Sequence, residues 1–243
     1  MRVLLLSDIH ANIVAFDAVL AHAREYDAVW CLGDVVGYGP APNECVEKLR
    51  PLNPLCLAGN HDWGVLGKIK LAEFNDNAQR ALIWTRANLK PENLAWLNQL
   101  TPNIILPEYE LTLVHASPRE PIWEYIDSLE LAAANMEYFD TPQCLFGHTH
   151  VPLAFYQSPT EHRVIALRLP EHRSFELEAK MLVNPGSVGQ PRDGDPRTAY
   201  AILDLDTRSL THERVEYDIA ATQAAMAQVG LPRRLIQRLA YGA

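Results

Sequence analysis

Eight residues of metal-binding or proton-carrying type fall in short blocks along the chain: Asp8-Ile9-His10, Gly33-Asp34, Gly59-Asn60-His61, His115, and Gly147-His148-Thr149-His150. Carboxylates, imidazoles and a side-chain amide form a mixed oxygen and nitrogen donor set. Such a set suits manganese, iron, zinc or nickel and does not choose among them. Each block alone has a plain structural explanation. Asp8-Ile9-His10 fits a turn, Gly33-Asp34 a strand-to-loop transition, Asn60-His61 a hydrogen-bonded corner, and His115 a satisfied core histidine. Gly147-His148-Thr149-His150 is sharper, because two histidines two apart project to the same side of one extended segment. The blocks occur in order, each just past a strand, and together they consume five of the nine histidines. A shared site accounts for that arrangement better than separate structural roles.

The elements that position these residues follow from hydrophobic periodicity. Residues 2–7 form an apolar, leucine-rich run that predicts a buried strand. Asn12 can cap a helix over 13–25, with Ile13, Phe16 and Leu20 on one face. Residues 28–32 predict a second strand, 42–50 a helix, and 54–58 a third strand. Right-handed crossovers make these three strands parallel neighbours. Residues 63–102 are mostly helical in pattern, expected beside the site. Short strands follow at about 103–107, 110–115, 143–146, 152–157, 164–168, 174–177, 181–184, 198–205 and 210–216, with a helix near 128–138. Helices near 218–228 and 232–240 close the chain, the second expected to dock as a terminal helix. Ligands of open α/β sheets collect beyond the carboxyl ends of strands, where all the blocks lie. An α/β half followed by a strand-rich half, with no linker between, predicts one domain over 1–243, built from two packed sheets flanked by helices.

With 48% hydrophobic and 21% charged residues, the 243-residue chain has the composition of a globular protein and length enough for a substantial core. Its formal net charge of −9 argues against a general nucleic-acid binder, which needs a basic face. Two divalent cations would offset about four of those charges at one place and favour a small anionic substrate. There is no internal repeat and no apolar run of membrane-spanning length. The run at 2–6 is too short for a signal peptide, so a cytoplasmic location is expected. Cys31, Cys45, Cys56 and Cys144 have no CxxC spacing and are expected to be reduced. Homo-oligomerisation stays open.

In its blocks the chain resembles the calcineurin-like metallophosphoesterases, whose pattern is DxH, GD, GNH, a later H, then GHxH. The stretches 33–40 and 184–192 are similar to the small bacterial and archaeal branch labelled YfcE-type phosphodiesterases. The resemblance implies a four-layer αββα sandwich of two mixed sheets flanked by helices. It also implies that Asp8, His10 and His150 hold one ion, that Asn60, His115 and His148 hold the other, and that Asp34 bridges. Two cations roughly 3.5–4 Å apart can polarise phosphate oxygens and activate a water for in-line attack. The implied activity is hydrolysis of a phosphodiester or phosphomonoester by a metal-bound hydroxide. His61, left without a metal, is placed to protonate the leaving oxygen, its ring oriented by Asp62 or Asp34.

Arg119, four residues after His115, could clamp a phosphate oxygen through its fork of donors, and Tyr38 and Arg192 lie in loops that could reach the same opening. Trp63, Trp84 and Trp96 are expected mainly in the core. His22, His162, His172 and His212 lie outside the pattern and are expected at the surface. Two alternatives remain at this stage: a dinucleotide polyphosphate hydrolase, and a catalytically silent metal-binding interaction scaffold. The intact ligand set weighs against the scaffold.

Overall fold

The computed structural model describes residues 1–161 and 163–243, so the expected surface position of His162 lies outside the described residues. The first half contains β1 (Arg2–Leu6), α1 (Ile13–His22), β2 (Ala28–Cys31), α2 (Pro42–Leu49) and β3 (Leu55–Cys56). Then come α3 (Asn60–Leu66), α4 (Asp76–Asn88), α5 (Pro91–Leu97), β4 (Asn103–Leu106), β5 (Leu111–Val114) and α6 (Leu129–Asn135). The strand-rich half holds β6 (Gln143–Leu145), β7 (Leu153–Gln157), β8 (Val164–Leu167), β9 (Ser174–Glu176) and β10 (Met181–Asn184). The chain ends with β11 (Thr198–Asp204), β12 (Ser209–Val215), α7 (Ile219–Gln228) and α8 (Arg233–Arg238).

Two mixed six-stranded sheets result, ordered β3-β2-β1-β11-β12-β9 and β4-β5-β6-β10-β7-β8. As predicted, β1, β2 and β3 are parallel neighbours, with Leu4 opposite Val29 and Cys31 opposite Cys56. The chain later returns to pair β11 antiparallel with β1, so both halves contribute to the first sheet.

Alternation along β1 sorts its side chains between two cores. Leu4 and Leu6 pack with Phe16 and Val19 of α1 on the helical side. Val3 and Leu5 face the other way and meet Leu113, Leu145 and Val183 of the second sheet. The outer face of that sheet, with Val114, Cys144 and Leu182, is covered by Ala132 of α6 and Met136 just beyond it. The layers are therefore helices, sheet, sheet, helix, which is the predicted sandwich. Leu5 is fully buried between the sheets, and truncation to alanine there costs about 2–5 kcal/mol.

Asn12 caps α1 as its sequence position suggests, its side chain accepting from the Ala15 N–H at 3.2 Å. The helix stops at His22, three residues short of the predicted end, and the Asp27 N–H bonds the Arg2 carbonyl to start β2. α3 begins earlier than expected, at Asn60, so Asn60 and His61 occupy the first turn of a helix rather than a preceding corner. The four cysteines are free, three buried and Cys56 partly so. Trp84 and Trp96 pack against the main core. His22 and His172 are exposed, but His212 is 3% exposed, against expectation. Leu210, His212 and Arg214 alternate inward along β12, and that strand register, not residue polarity, decides its burial. Leu235 and Leu239 dock the last helix into the core as predicted. Among the described residues no helix is long and apolar enough to cross a membrane.

Candidate metal centre

The loops leaving β1 and β2 run side by side, held by Asp8 N–H to Gly33 O at 3.0 Å and His10 N–H to Asp34 O at 2.9 Å. The loop before β11 joins them through Val188 N–H to Ser7 O and Gly189 N–H to Asp8 O. Asp8, His10, Asp34, His148 and His150 all have left-handed backbones, with φ between 47° and 64°. Such conformations cost on the order of 1–3 kcal/mol each outside glycine and concentrate at functional sites. They turn five side chains inward over the ends of the strands. Gly59 lets the chain pass directly against one of them, since a Cβ there would sit 1.9 Å from Asp34 Oδ1.

Two donor groups result. Asp8, His10, Asp34 and His150 form one, with ligand atoms all within 4.8 Å of one another, and Asp34, His115 and His148 form the other. Asp34 belongs to both. Its Oδ2 lies 3.5 Å from His10 Nε2 and 3.6 Å from His115 Nε2. Asn60 joins the second group, its Oδ1 being 3.3 Å from His115 Nε2. The structure thus brings together the seven residues that the resemblance named as ligands.

Backbone carbonyls fix the face each imidazole shows to the centre. Nδ1 of His10 donates to Val36 O, Nδ1 of His115 to Leu32 O, and Nδ1 of His150 to Gln190 O, at 3.3, 2.8 and 2.6 Å. His148 reverses the pattern, with Nε2 donating to Trp123 O at 3.2 Å. In each ring the remaining nitrogen keeps its lone pair, as metal ligation requires. Asp8 Oδ1 and Asp34 Oδ2 are buried without a hydrogen-bond partner. Orphaned carboxylate oxygens facing bare imidazole nitrogens are costly unless a cation lies among them, so the donor set fits divalent metal ions.

The electrostatics agree. Burial lowers the pKa of His10, His61, His115 and His148, and brings His150 down to about 4, which favours the neutral imidazoles that ligate metal. Burial, reinforced by the charges of Asp62 and Asp8, pushes the Asp34 pKa well up. Asp8 is also driven up by burial, but the adjoining His150 and the Ser7 hydroxyl reverse the balance and hold it low. Without cations, then, the two carboxylates do not both ionise; cations favour the fully ionised pair.

His61 is buried beside this cluster with its ring centroid 4.8 Å from that of His10 and 4.1 Å from that of Tyr38. Its Nδ1 has no partner. Gly37, at φ +91°, makes room for the ring, because a Cβ there would lie 2.5 Å from Nδ1. Neither expected carboxylate orients the imidazole. Asp34 accepts the His61 backbone N–H at 2.9 Å. Asp62 instead accepts the N–H groups of Val35, Val36 and Gly59, tying two ligand loops together.

Of the three expected substrate contacts, two lie at the cluster. Tyr38 packs with tilted ring against both His61 and His10, and the Arg192 guanidinium lies 5.8 Å above the Tyr38 ring. Arg192 is partly buried, with Nη2 donating to Gln190 Oε1 at 3.0 Å and Nε, itself buried, left unpartnered. Arg119 differs. Its fork is taken up by Glu124, with Nε to Oε1 at 3.1 Å, and its guanidinium lies over Tyr138. Sequence proximity to His115 misled, because Ser117 and Asn135 also bond Glu124 and hold it beneath Arg119.

Sequence reading missed Tyr125, whose ring centroid is 4.1 Å from that of His148. It also missed the carbonyls of Trp123 and Gln190, which carry no side-chain signal.

Residues 1–208 match the family model of the calcineurin-like phosphoesterase superfamily domain. The chain belongs to that superfamily. A metallophosphoesterase from Sphaerobacter thermophilus is 45% identical and superposes with a TM-score of 0.90, covering 100% of this chain and 99% of its own. An uncharacterised protein of Methanocaldococcus jannaschii is 40% identical over 98% of this chain and 96% of its length. A symmetrical bis(5′-nucleosyl)-tetraphosphatase of Yersinia enterocolitica is 27% identical over 142 residues, 56% of this chain and 48% of that protein. The family and the buried Asp/His cluster together make this a metallophosphoesterase-type site for divalent ions.

Proposed function

We propose that this member of the superfamily hydrolyses small phosphate esters, mono- or diesters, with two divalent ions at the cluster. The observation that carries this reading is Asp34, shared by both donor groups and bearing a buried, unpaired oxygen. Asp8, His10 and His150 would hold one ion, Asn60, His115 and His148 the other, and Asp34 both. Bound there, divalent ions supply positive charge to phosphoryl oxygens and lower the pKa of water.

The protein's own groups supply the rest. Arg192 offers its free donor to a phosphoryl oxygen in a low-dielectric setting, where a charge-assisted hydrogen bond is strong. Tyr38, packed on two imidazoles, walls the opening and excludes water from one side. His61 carries a proton to the leaving oxygen, and the negative charge of a bound phosphate favours its protonated form. A phosphoanhydride substrate is the second reading, favoured by the partial match to the bis(5′-nucleosyl)-tetraphosphatase.

A panel of phosphate esters assayed with several divalent metals tests the proposal, with alkyl and p-nitrophenyl esters compared. p-Nitrophenolate leaves without a proton, whereas an alkoxide gains about 10²–10⁴-fold from general acid catalysis. His61→Ala should therefore slow the alkyl ester far more than the p-nitrophenyl ester at equal metal occupancy. Equal losses would leave His61 a supporting role only. Absence of turnover across the whole panel would favour a binding scaffold.

A further inference from the structure

Beside the metal cluster lies a cavity of about 610 Å³, and Tyr38 is part of its wall. The remaining wall comes from Asn75, Asp76 and Asn77 at the start of α4, from Arg234, Leu235 and Arg238 of α8, and from Ala243. Tyr38 thus has one side on the His61 and His10 rings and another on this cavity, with Arg192 over its ring. The cavity is continuous in chemistry with the site already described, yet its arginines come from beyond residue 208, outside the part matched by the family model.

α8 is fixed in place. Leu235 and Leu239 are buried in the main core, and Leu239 packs near Tyr38, Gly189 and Gln190. α7 is tied to the first ligand loop by Thr222 Oγ1 donating to Asn12 Oδ1 at 3.0 Å. Arg234 is exposed and Arg238 half-buried. Neither has a side-chain salt bridge to an aspartate or glutamate among the described residues, unlike Arg197 and Arg208, whose guanidiniums are held by acids. Arg238 donates through Nε to Ala243 O. Asp76 is the single carboxylate side chain lining the cavity among the described residues, against two guanidiniums there and a third above Tyr38.

We propose that this cavity is an anion subsite in which Arg234 and Arg238 bind a second phosphate group of the substrate, so that the substrate class is a phosphate ester bearing a further phosphate. This rests on the phosphoesterase reading and narrows it. One phosphate occupies the metal cluster under Arg192, and the linking group crosses Tyr38. The second phosphate takes the forks of α8, and Asn75 and Asn77 offer neutral amide donors at the same wall. Guanidiniums suit this role because their planar forks match phosphate oxygens. Burial, followed by the charge of nearby Arg192, lowers the Arg238 pKa to about 10, and an anion beside it would oppose that shift.

The test is calorimetric binding of adenosine 3′,5′-bisphosphate and adenosine 5′-phosphate to the full chain, which needs no turnover. The native protein should bind the bisphosphate at least about tenfold more tightly, the usual scale of one charge-assisted contact. Arg234→Ala should reduce that preference, and Arg234→Ala/Arg238→Ala should bring it near unity. Should the double variant fold poorly, Arg234→Glu, which changes an exposed side chain only, should still reduce the preference. Equal native affinities for the two nucleotides, or a preference untouched in the variants, would overturn the proposal. The two readings fail separately: a preference lost in the variants stands even where no ester is hydrolysed, and ester hydrolysis stands even where the preference is absent.

Discussion

His10 Nε2 lies 3.1 Å from His150 Nε2, with each ring's Nδ1 committed to a backbone carbonyl. Two lone pairs therefore face each other in a buried site beside Asp8, whose Oδ1 is 3.3 Å from His150 Nε2. With each Nδ1 donating, a neutral ring has no Nε2 proton to give the other, whereas a cation between them accepts both lone pairs. Divalent metal binds only the folded form of such a site, so it should raise Tm by mass action, with about 2.7 kcal/mol of stabilisation at a hundredfold excess over Kd. Differential scanning calorimetry with and without chelator checks this. A Tm indifferent to metal would mean that the facing nitrogens are bridged by something other than a cation.

Arg192 and Arg119 were equal candidates in sequence and are unequal in structure. Arg192 is partly buried at the cluster with its Nε unpartnered, so Arg192→Ala should lower kcat/KM for phosphate esters by about 10–10²-fold, the scale of a lost hydrogen bond to a charged group. Lysine should rescue little, lacking the planar fork. Arg119→Ala should fall well short of this effect, because its guanidinium is engaged with Glu124 and Tyr138. Steady-state kinetics on one ester with all three variants decides it, and a larger loss at Arg119 would reverse the assignment.

His212 links burial to pH. Its ring is buried with neither nitrogen hydrogen-bonded, and burial, aided by the Arg214 charge, lowers its pKa from 6.5 to about 4. The unfolded chain thus binds more protons than the folded one between these values. The stability that follows is fully present above about pH 6.5 and is lost as pH falls toward 4, by up to about 3 kcal/mol. His212→Gln should flatten the decline of Tm between pH 6.5 and 4 relative to the native protein. The slopes, measured at fixed metal concentration, are the observable; parallel slopes would show that His212 does not titrate in this window.

Much of this was legible in sequence for physical reasons. The apolar run of β1 has nowhere to go but a sheet interior, and Asn12 marks a helix start by its capping chemistry. Asp8, Asp34, His115 and His148 could be found because each follows an apolar strand, where the backbone stops pairing and side chains turn over the sheet edge. Less was legible where a residue's role depends on a distant partner. The carbonyls of Val36, Leu32, Gln190 and Trp123 choose the ligating nitrogen of each histidine, but a backbone carbonyl is the same in every residue. Arg119 was captured by Glu124, five residues on, a pairing that needs the intervening turn to be known. His212 looked like a surface residue because its type is polar, while its position in the alternation of β12 puts it inward. α8 looked like a docked helix and is one; only the fold shows that its arginines share a cavity with Tyr38.

We hold that Asp34 joins two metal sites on which phosphoester hydrolysis depends. The most direct measurement is elemental analysis of bound metal, paired with turnover of bis-p-nitrophenyl phosphate, as divalent metal is titrated into stripped protein. Two ions per chain should bind, turnover should rise as they do, and Asp34→Asn should lose tight binding at both positions, whereas Asp8→Asn should weaken one position more than the other. Full turnover by rigorously metal-free protein, or two ions retained at native affinity in Asp34→Asn, would contradict it.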